Sequence, residues 1–435
     1  MYSLRLFCDI NKEKGEKEGK NPLFSYGIIG FPQPPENWNL ARRGSLSPPG
    51  RFFIDFPFGI PYTNARERLK PSELSRKERL YPMNSKRFYA LDVLKLFLAY
   101  VIAYFHSRME FLPGPTVTVQ IFFMISGFFL AKKFYARSFA DRGQSYGAWE
   151  YTLDHVRSMY PHYLLSCGIL FVYITARECL ELFRAPGWEP LKALFLHLYS
   201  QIPDIFLLQS AYHWQDSLNY PLWQISALLI AGYFIYALLC HNEKLSRTLI
   251  FPGAILMVMS LLTRTEDLFQ NYGFFYLPLL RAFYPMCVGV LAFYFTKTRY
   301  FEALRAHRRL FDAAAVLALV TIICFADYGN IFVITGSLLI VNCCDSDSLL
   351  NRLFDHRCFR WCGKLSYAIF LNHVLIARIL WALIVPRVEA RMAFPIWAIG
   401  ILYFVMLTGY SIVTMVLVDR WTSRARDKKA PVSNS

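Results

Sequence analysis

Long apolar runs recur from about residue 88 to about residue 419. Each run has roughly 17–25 residues, the length at which a helix crosses the hydrocarbon core of a bilayer. The composition agrees, because 55% of the 435 residues are hydrophobic and only 18% are charged, against about 25% charged in soluble proteins. The chain is therefore predicted to be an all-α, polytopic membrane helix bundle located in the cell membrane.

The runs predict about ten transmembrane helices, and the loops between them give the orientation. The spans lie near residues 88–106, 116–136, 160–178, 219–240, 247–263, 278–296, 309–325, 328–344, 365–386 and 395–419. Basic loops such as KKFYARSFADRG and TKTRYFEALRAHRR are predicted to be cytoplasmic, whereas AYHWQDSLNY and FADYGN contain no Lys or Arg and are predicted to be external. Both termini are then cytoplasmic.

An eleventh apolar stretch, LKALFLHLYSQIPDIFLLQS (191–210), contains His197, Gln201, Pro203 and Asp204. If it crossed the membrane, the loop after it would lie inside and every later assignment would invert. The polar residues and the loop charges favour an external amphipathic or re-entrant segment instead.

The net charge of +16 is explained by these basic loops, so nucleic acid is not expected as a partner. The ten cysteines show no metal-site spacing, and no metal site is predicted.

The segment before the first span differs from the rest of the chain. Residues 1–85 contain the run NKEKGEKEGK and several prolines, without a periodic apolar pattern or a visible signal peptide. Two interpretations stay open: a disordered cytoplasmic tail, or a non-native extension upstream of a translation start at Met83. The predicted membrane domain covers residues 86–420, and residues 421–435 form a short basic cytoplasmic tail.

The first span, LDVLKLFLAYVIAYFH, carries charged and titratable residues inside an apolar helix. Lys95 and His106 are eleven residues apart, so both lie on one helix face, about 16 Å apart along the axis. Asp92 lies one turn before Lys95. Taken alone, these residues fit a lysine that reaches the interface and a histidine at headgroup depth.

Other spans also contain polar residues. Ser126 and Gly127 interrupt the second span, where such a pair usually permits close helix contact. Arg157 precedes Pro161, which is predicted to open the third span. A late span contains Ser366, Tyr367, Asn372 and His373; four polar residues in one span indicate a polar cavity in the bundle.

The order of these motifs resembles the acyltransferase-3 family, integral membrane enzymes that transfer acyl groups, often acetyl, onto glycans across the membrane. The motifs are K-x10-H in the first span, FFMISGFFLAKKF, HVRSMYPHY and GKLSYAIFLNH. By this resemblance, Lys95 and His106 match the family's paired basic residue and histidine. Arg157 matches one of an arginine pair, and Arg281 matches an arginine before a glycine-containing span.

The sequence departs from the family pattern in two places. His155 and Ser158 stand where a second arginine is expected, which weakens the case for donor-phosphate binding there. The span PLWQISALLIAGYF lacks the family's common acidic residue, which leaves the branch of the family and the acceptor open.

The resemblance implies acyl-CoA, most often acetyl-CoA, as the donor substrate, with no permanently bound cofactor. The acceptor is a hydroxyl of an extracytoplasmic glycan or a related cell-surface molecule. Lys95 and Arg157 are expected to bind the donor, and His106 to act as general base or to carry the acyl group covalently. The expected cavity-lining residues are Asp92, Ser126, Tyr367, His373 and Arg281.

Two other classes of protein fit part of the pattern. In a proton-coupled secondary transporter, Asp92, Lys95 and His106 would form a proton or substrate relay. The absence of self-similarity between the two halves argues against that reading. A structural membrane protein would not need the polar cluster. The identity of the acceptor, the length of the acyl group and the oligomeric state stay open.

Overall fold

The computed structural model describes residues 88–107, 116–140, 146–210, 217, 219–262, 271–272, 275–324, 331–389 and 395–427. The prediction for the N-terminal segment 1–85 lies outside the described residues, as does most of the C-terminal tail. The domain boundaries therefore stay predictions.

The first part of the described chain is helical apart from one short strand. Its elements are α1 (Tyr89–Phe105), α2 (Thr116–Ala140), α3 (Ala148–Arg184), α4 (Trp188–Ser200), α5 (Ile202–Ile205), a 3-10 turn (Tyr220–Leu222), α6 (Trp223–Leu245), a π turn (Ser246–Ile250), α7 (Phe251–Leu262) and β1 (Asn271–Tyr272).

The second part begins with the partner strand of β1 and continues as helices. Its elements are β2 (Phe275–Tyr276), α8 (Leu277–Phe295), α9 (Arg299–Ala306), α10 (Arg308–Cys324), α11 (Ile331–Cys343), α12 (Leu349–Phe354), a 3-10 turn (Arg357–Trp361), α13 (Cys362–Ile379), a π turn (Leu380–Ile384), α14 (Val385–Glu389) and α15 (Ile396–Asp427). The two strands form a two-residue antiparallel pair. The predicted all-α fold is confirmed apart from this small hairpin.

Six helical stretches of the described chain are long and apolar enough to cross a membrane: Val117–Arg137, Ala148–Arg184, Tyr220–Leu262, Leu277–Phe295, Arg357–Arg387 and Ile396–Arg424. The stretch Tyr220–Leu262 has 43 residues, which at 1.5 Å per residue is about twice a hydrocarbon core of about 30 Å. Asn242 interrupts it with non-helical backbone angles, so α6 and α7 coincide with the fourth and fifth predicted spans.

The remaining predicted spans coincide with the shorter helices α1, α10 and α11. Every predicted span therefore lies on a helix. The number of crossings and the cytoplasmic location of the termini stay predictions.

The closest helix contact joins α2 and α8 through two glycines. A Cβ added to Gly127 would overlap the carbonyl oxygen of Met286, and one added to Gly289 would overlap that of Met124. Small residues allow such backbone contact between membrane helices. The Ser-Gly pair of the second span therefore serves helix packing, and the Ser126 hydroxyl donates to the Phe122 carbonyl one turn earlier, at 2.9 Å.

The ring contacts show that α2 and α6 run in the same direction. Phe123 packs against Trp223 near the start of α6, and Phe134 packs against Tyr236 further along. Two parallel membrane helices are separated by an odd number of crossings, and α3 supplies one. This geometry favours a segment between α3 and α6 that does not cross.

That segment turns back along α3. His197 of α4 lies 3.0 Å from the Thr175 hydroxyl, and further along the Tyr163 hydroxyl donates to the Asp204 carbonyl at 2.6 Å. The Ser210 hydroxyl then lies 2.7 Å from that of Ser226 at the start of α6. Residues 191–210 therefore fold back along α3, and their external amphipathic or re-entrant placement stays a prediction.

Candidate functional site

The C-terminal end of α1 holds the first of two neighbouring histidines. His106 follows the last residue of α1, and its backbone N–H still donates to the Ile102 carbonyl at 3.2 Å. Its Nδ1 lies 2.5 Å from the hydroxyl of Tyr220, and the two rings meet edge to face. Tyr220 precedes Pro221 in the 3-10 turn that leads into α6. The turn thus aims the phenol at the imidazole.

His373 of α13 stacks against His106, with ring centroids 5.2 Å apart and planes inclined by 28°. Its side chain is fully buried, and Nδ1 lies 2.6 Å from the Phe370 carbonyl oxygen. Because a carbonyl only accepts, Nδ1 carries the proton and Nε2 presents a lone pair. Nε2 has no hydrogen-bond partner in the described part of the chain.

Polar contacts from α3, from α15 and from the residue before the 3-10 turn hold this end of α13 in place. The Leu371 carbonyl accepts hydrogen bonds from Ser166 and from Asn219, both at 2.9 Å. The Tyr403 hydroxyl lies 3.2 Å from two carbonyl oxygens, those of Ala103 and His373. A hydroxyl has a single proton, so the two carbonyl oxygens share the Tyr403 proton. These contacts fix α13 against α1 and α3, and Asn219 anchors the neighbour of Tyr220.

The N-terminal end of α1 holds an ion pair. Nζ of Lys95 lies 3.5 Å from Oδ1 of Asp92 and 4.6 Å from the centre of the Phe129 ring. A Cβ added to Gly363 would lie 2.5 Å from the same Asp92 oxygen. The absence of a side chain at Gly363 therefore makes room for the carboxylate, and the carboxylate offsets the charge of Lys95.

Lys95 and His106 lie at opposite ends of one continuous helix, about 16 Å apart along its axis. Between them, Leu98 and Ile102 are almost fully buried. The structure therefore separates the two predicted site residues into a charged cluster at the end of α1 that is predicted to face inward (Asp92 and Lys95) and the histidine pair at the end that is predicted to face outward (His106 and His373 with Tyr220).

The structure does not bring Arg157 to either cluster. Arg157 is exposed on α3 and makes no hydrogen bond or ion pair with the described residues. Pro161 lies inside α3, which begins at Ala148, so the expectation that Pro161 opens the helix is wrong. Proline lacks the N–H that would bond to the carbonyl of residue 157. The helix α3 continues through Pro161 despite this missing hydrogen bond.

The other predicted residues lie apart from the histidine pair. The Tyr367 hydroxyl donates to the Met159 carbonyl at 3.2 Å, joining α13 to α3. Arg281 of α8 is buried, with its guanidinium 5.7 Å from the centre of the Trp223 ring. No group of three or more His, Cys, Asp or Glu side chains suited to a metal ion occurs in the described residues.

Sequence reasoning missed Tyr220, the hydrogen-bond partner of His106. Tyr220 ends the stretch AYHWQDSLNY, where the absence of Lys and Arg indicated only an external loop. A signal was present in the Tyr-Pro step at the start of a helix, because proline is favoured in the first turn. No feature of the sequence around Tyr220 indicated a contact with His106, which lies 114 positions away.

Comparison with known proteins finds a family match. A family model described as an acyltransferase domain, acyltransferase-3, matches residues 88–419. No curated protein matches the chain, and no solved structure matches it.

Proposed function

Because the chain belongs to the acyltransferase-3 family and carries membrane-spanning helices, it is a membrane acyltransferase, and we propose that its donor is acetyl-CoA. The acceptor in this proposal is a hydroxyl group of an extracytoplasmic glycan or a related cell-surface molecule. The observation that carries the proposal is the histidine pair at the end of α1 that is predicted to face outward, with His106 bonded to Tyr220.

His106 acts as the general base in this proposal. When Nδ1–H donates to the Tyr220 oxygen, Nε2 keeps its lone pair and accepts the proton of the acceptor hydroxyl. The hydroxyl oxygen then bonds to the thioester carbon, the carbon–sulfur bond breaks, and the thiolate takes the proton from His106. The products are the O-acyl acceptor and free coenzyme A, so atoms and protons balance.

Tyr220 and His373 position the base. Tyr220 fixes the orientation of the His106 ring, and its oxygen accepts the Nδ1 proton in the tautomer that leaves Nε2 free to act as base. His373 stacks on the His106 ring and holds its own proton on Nδ1, so its Nε2 can accept a second hydrogen bond. Both residues keep an uncharged His106 at the position where the hydroxyl arrives.

The inner end of α1 binds the donor in this proposal. Acyl-CoA is cytoplasmic and polyanionic, and a lysine attracts phosphate by charge-assisted hydrogen bonds. The separation of about 16 Å between Lys95 and His106 is one that the flexible pantetheine arm can cover. Leu98 and Ile102 are buried along this face, so the arm reaches His106 by displacing them or by passing beside them.

The test uses membrane vesicles with cell-surface glycan and acetyl-CoA labelled on the acetyl group. Wild type is compared with His106→Ala and with His241→Ala, which removes an exposed histidine at the far end of α6. Label that enters glycan with wild type and His241→Ala, but not with an equally folded His106→Ala, supports the proposal.

Two results would contradict it. Full transfer by His106→Ala would remove the general base from the mechanism. Proton-coupled solute flux without transfer from any acyl-CoA would instead indicate a transporter built on the same polar residues.

A further inference from the structure

Three lysines, one each from α1, α2 and the turn after α8, lie along one stripe of α2. The stripe consists of Phe129, Lys132 and Tyr135, spaced three residues apart on the same helix face. Nζ of Lys95, on α1, lies 4.6 Å from the centre of the Phe129 ring. Nζ of Lys297, just after α8, lies 5.7 Å from the centre of the Tyr135 ring. We call Lys95, Lys132 and Lys297 the lysine row; its α2 stripe is about 9 Å long.

The row is held together by the closest helix contact in the structure. Gly127 and Gly289 let α2 and α8 pack closely, without side chains between them. Lys132 follows Gly127 on α2, and Lys297 follows Gly289 just after the end of α8. Burial, together with the nearby charge of Lys132, lowers the pKa of Lys297. The fold therefore holds the like charges of Lys132 and Lys297 close enough to interact, and a bound anion would favour the charged form of both.

The neighbouring residue provides an internal contrast. Lys133 pairs with the carboxylate of Asp154 at 3.2 Å and lies over the rings of Tyr146 and Tyr151. Lys132 lies over the Phe88 ring, 4.6 Å from its centre, and forms no ion pair with the described residues. Adjacent lysines thus differ in that only Lys133 has a carboxylate partner, although both are half-buried.

We infer that the lysine row is a binding site for a ligand carrying several phosphates. Resting on the proposed function, we assign it to the phosphates of the acyl-CoA donor, with Lys132 and Lys297 as binding residues beside Lys95. The α2 stripe along which these cations lie is about 9 Å long, so the row suits phosphate groups spread along a chain better than a single carboxylate. It also places the phosphates at the inner end of α1, with the thioester directed toward His106.

A comparison of two donors tests this assignment. Acetyl-CoA carries phosphates, whereas acetyl-pantetheine carries the same thioester without them. The double variant Lys132→Ala/Lys297→Ala is expected to raise the KM for acetyl-CoA by about a hundredfold or more, since it removes two hydrogen bonds to charged groups, each of which contributes about tenfold or more. Its KM for acetyl-pantetheine is expected to equal that of wild type. Lys244→Ala, an exposed lysine at the end of α6, is the control and should change neither value.

A lipid headgroup could supply the same phosphate chemistry, and a second arm separates the two sources. The adenosine bisphosphate fragment of coenzyme A is titrated onto the protein in nanodiscs, once with neutral lipid and once with anionic lipid. Saturable binding in neutral lipid that the double variant weakens supports the donor site. If the double variant slows transfer from both donors equally, and anionic lipid raises the activity of wild type but not that of the double variant, the row binds lipid and the assignment is wrong.

The binding arm also separates this inference from the proposed function. If the fragment binds wild type and not the double variant, but no acyl group is transferred, the phosphate site stands and the transfer reaction fails. If acyl transfer is found while the fragment does not bind wild type, the proposed function stands and the lysine row is not the donor site.

Discussion

The two ends of α1 each hold a polar side chain, but different neighbours stabilise it. Both place a polar side chain in an otherwise apolar helix, where an isolated charge costs several kcal/mol. At the end predicted to face inward, the inner end, Lys95 has a carboxylate neighbour in Asp92, at 3.5 Å. At the end predicted to face outward, the outer end, His106 is bonded to the neutral Tyr220 and stacked on His373. A charge suits ligand binding, whereas a neutral imidazole suits proton transfer.

The largest expected effect separates the two ends kinetically. Lys95→Met keeps the length of the side chain and removes its charge, so the KM for acetyl-CoA should rise by about ten- to hundredfold. The kcat at saturating donor should change little, because His106 is untouched. Steady-state transfer in vesicles measures both constants, and a loss confined to kcat would place Lys95 in the chemical step.

Gly363→Ala tests how tightly the inner end is packed. The added Cβ would meet Oδ1 of Asp92, so the carboxylate must move away from Lys95, and overpacking of this kind costs about 1–3 kcal/mol. Thermal unfolding in detergent should show a lower midpoint. Gly409→Ala is the matched control, since a Cβ there meets nothing within 4 Å. Equal midpoints for the two variants would show that Asp92 relaxes freely.

Tyr220→Phe tests the outer end with the loss of one hydroxyl. Without the hydrogen bond, His106 loses the group that fixes its ring orientation and accepts its Nδ1 proton, and we expect kcat to fall about tenfold, which corresponds to about 1.4 kcal/mol. The KM for acetyl-CoA should stay the same, and the pH profile of kcat should shift. Tyr199→Phe removes an exposed hydroxyl on α4 and serves as the control. An unchanged pH profile would indicate a role in packing alone.

The smallest expected effect is a pH dependence of donor affinity. Because burial and Lys132 lower the pKa of Lys297, Lys297 loses its charge at a lower pH than an exposed lysine does. The KM for acetyl-CoA should therefore rise a few-fold at alkaline pH, and the KM for acetyl-pantetheine should not. In Lys132→Met the neighbouring charge is gone, so the rise should begin at higher pH. The same onset in both proteins would argue against close coupling of the two lysines.

Much of the fold is predictable because a membrane helix is encoded locally. Apolar runs of sufficient length must satisfy their backbone hydrogen bonds as helices, and each predicted span coincides with one. The polar residues within segment 191–210 and the loop charges favoured a segment that does not cross, and the structure shows it turned back along α3. The start of α3 was missed because Ala148–Tyr160 is too polar to be recognised as part of a span.

Less of the candidate site is predictable, because its parts come from distant segments. Lys95 and His106 share a helix, so their spacing was available from the sequence. Asp92 was recognised for the same reason. Tyr220 and Lys297 join these residues only through the packing of separate helices. Arg157 was expected at the donor site, but its position on an exposed face of α3 was not encoded in its neighbours.

The sequence by itself determined which segments are helices and which of them carry polar residues, since hydrophobic length and helical period act over neighbouring residues. Only the tertiary structure decided that His106 meets Tyr220 and His373, and that three lysines line one stripe of α2. The physical reason is that these contacts depend on close helix approach, as at Gly127 and Gly289, and on the return of the chain after α3. Both are properties of packing between segments far apart in the chain.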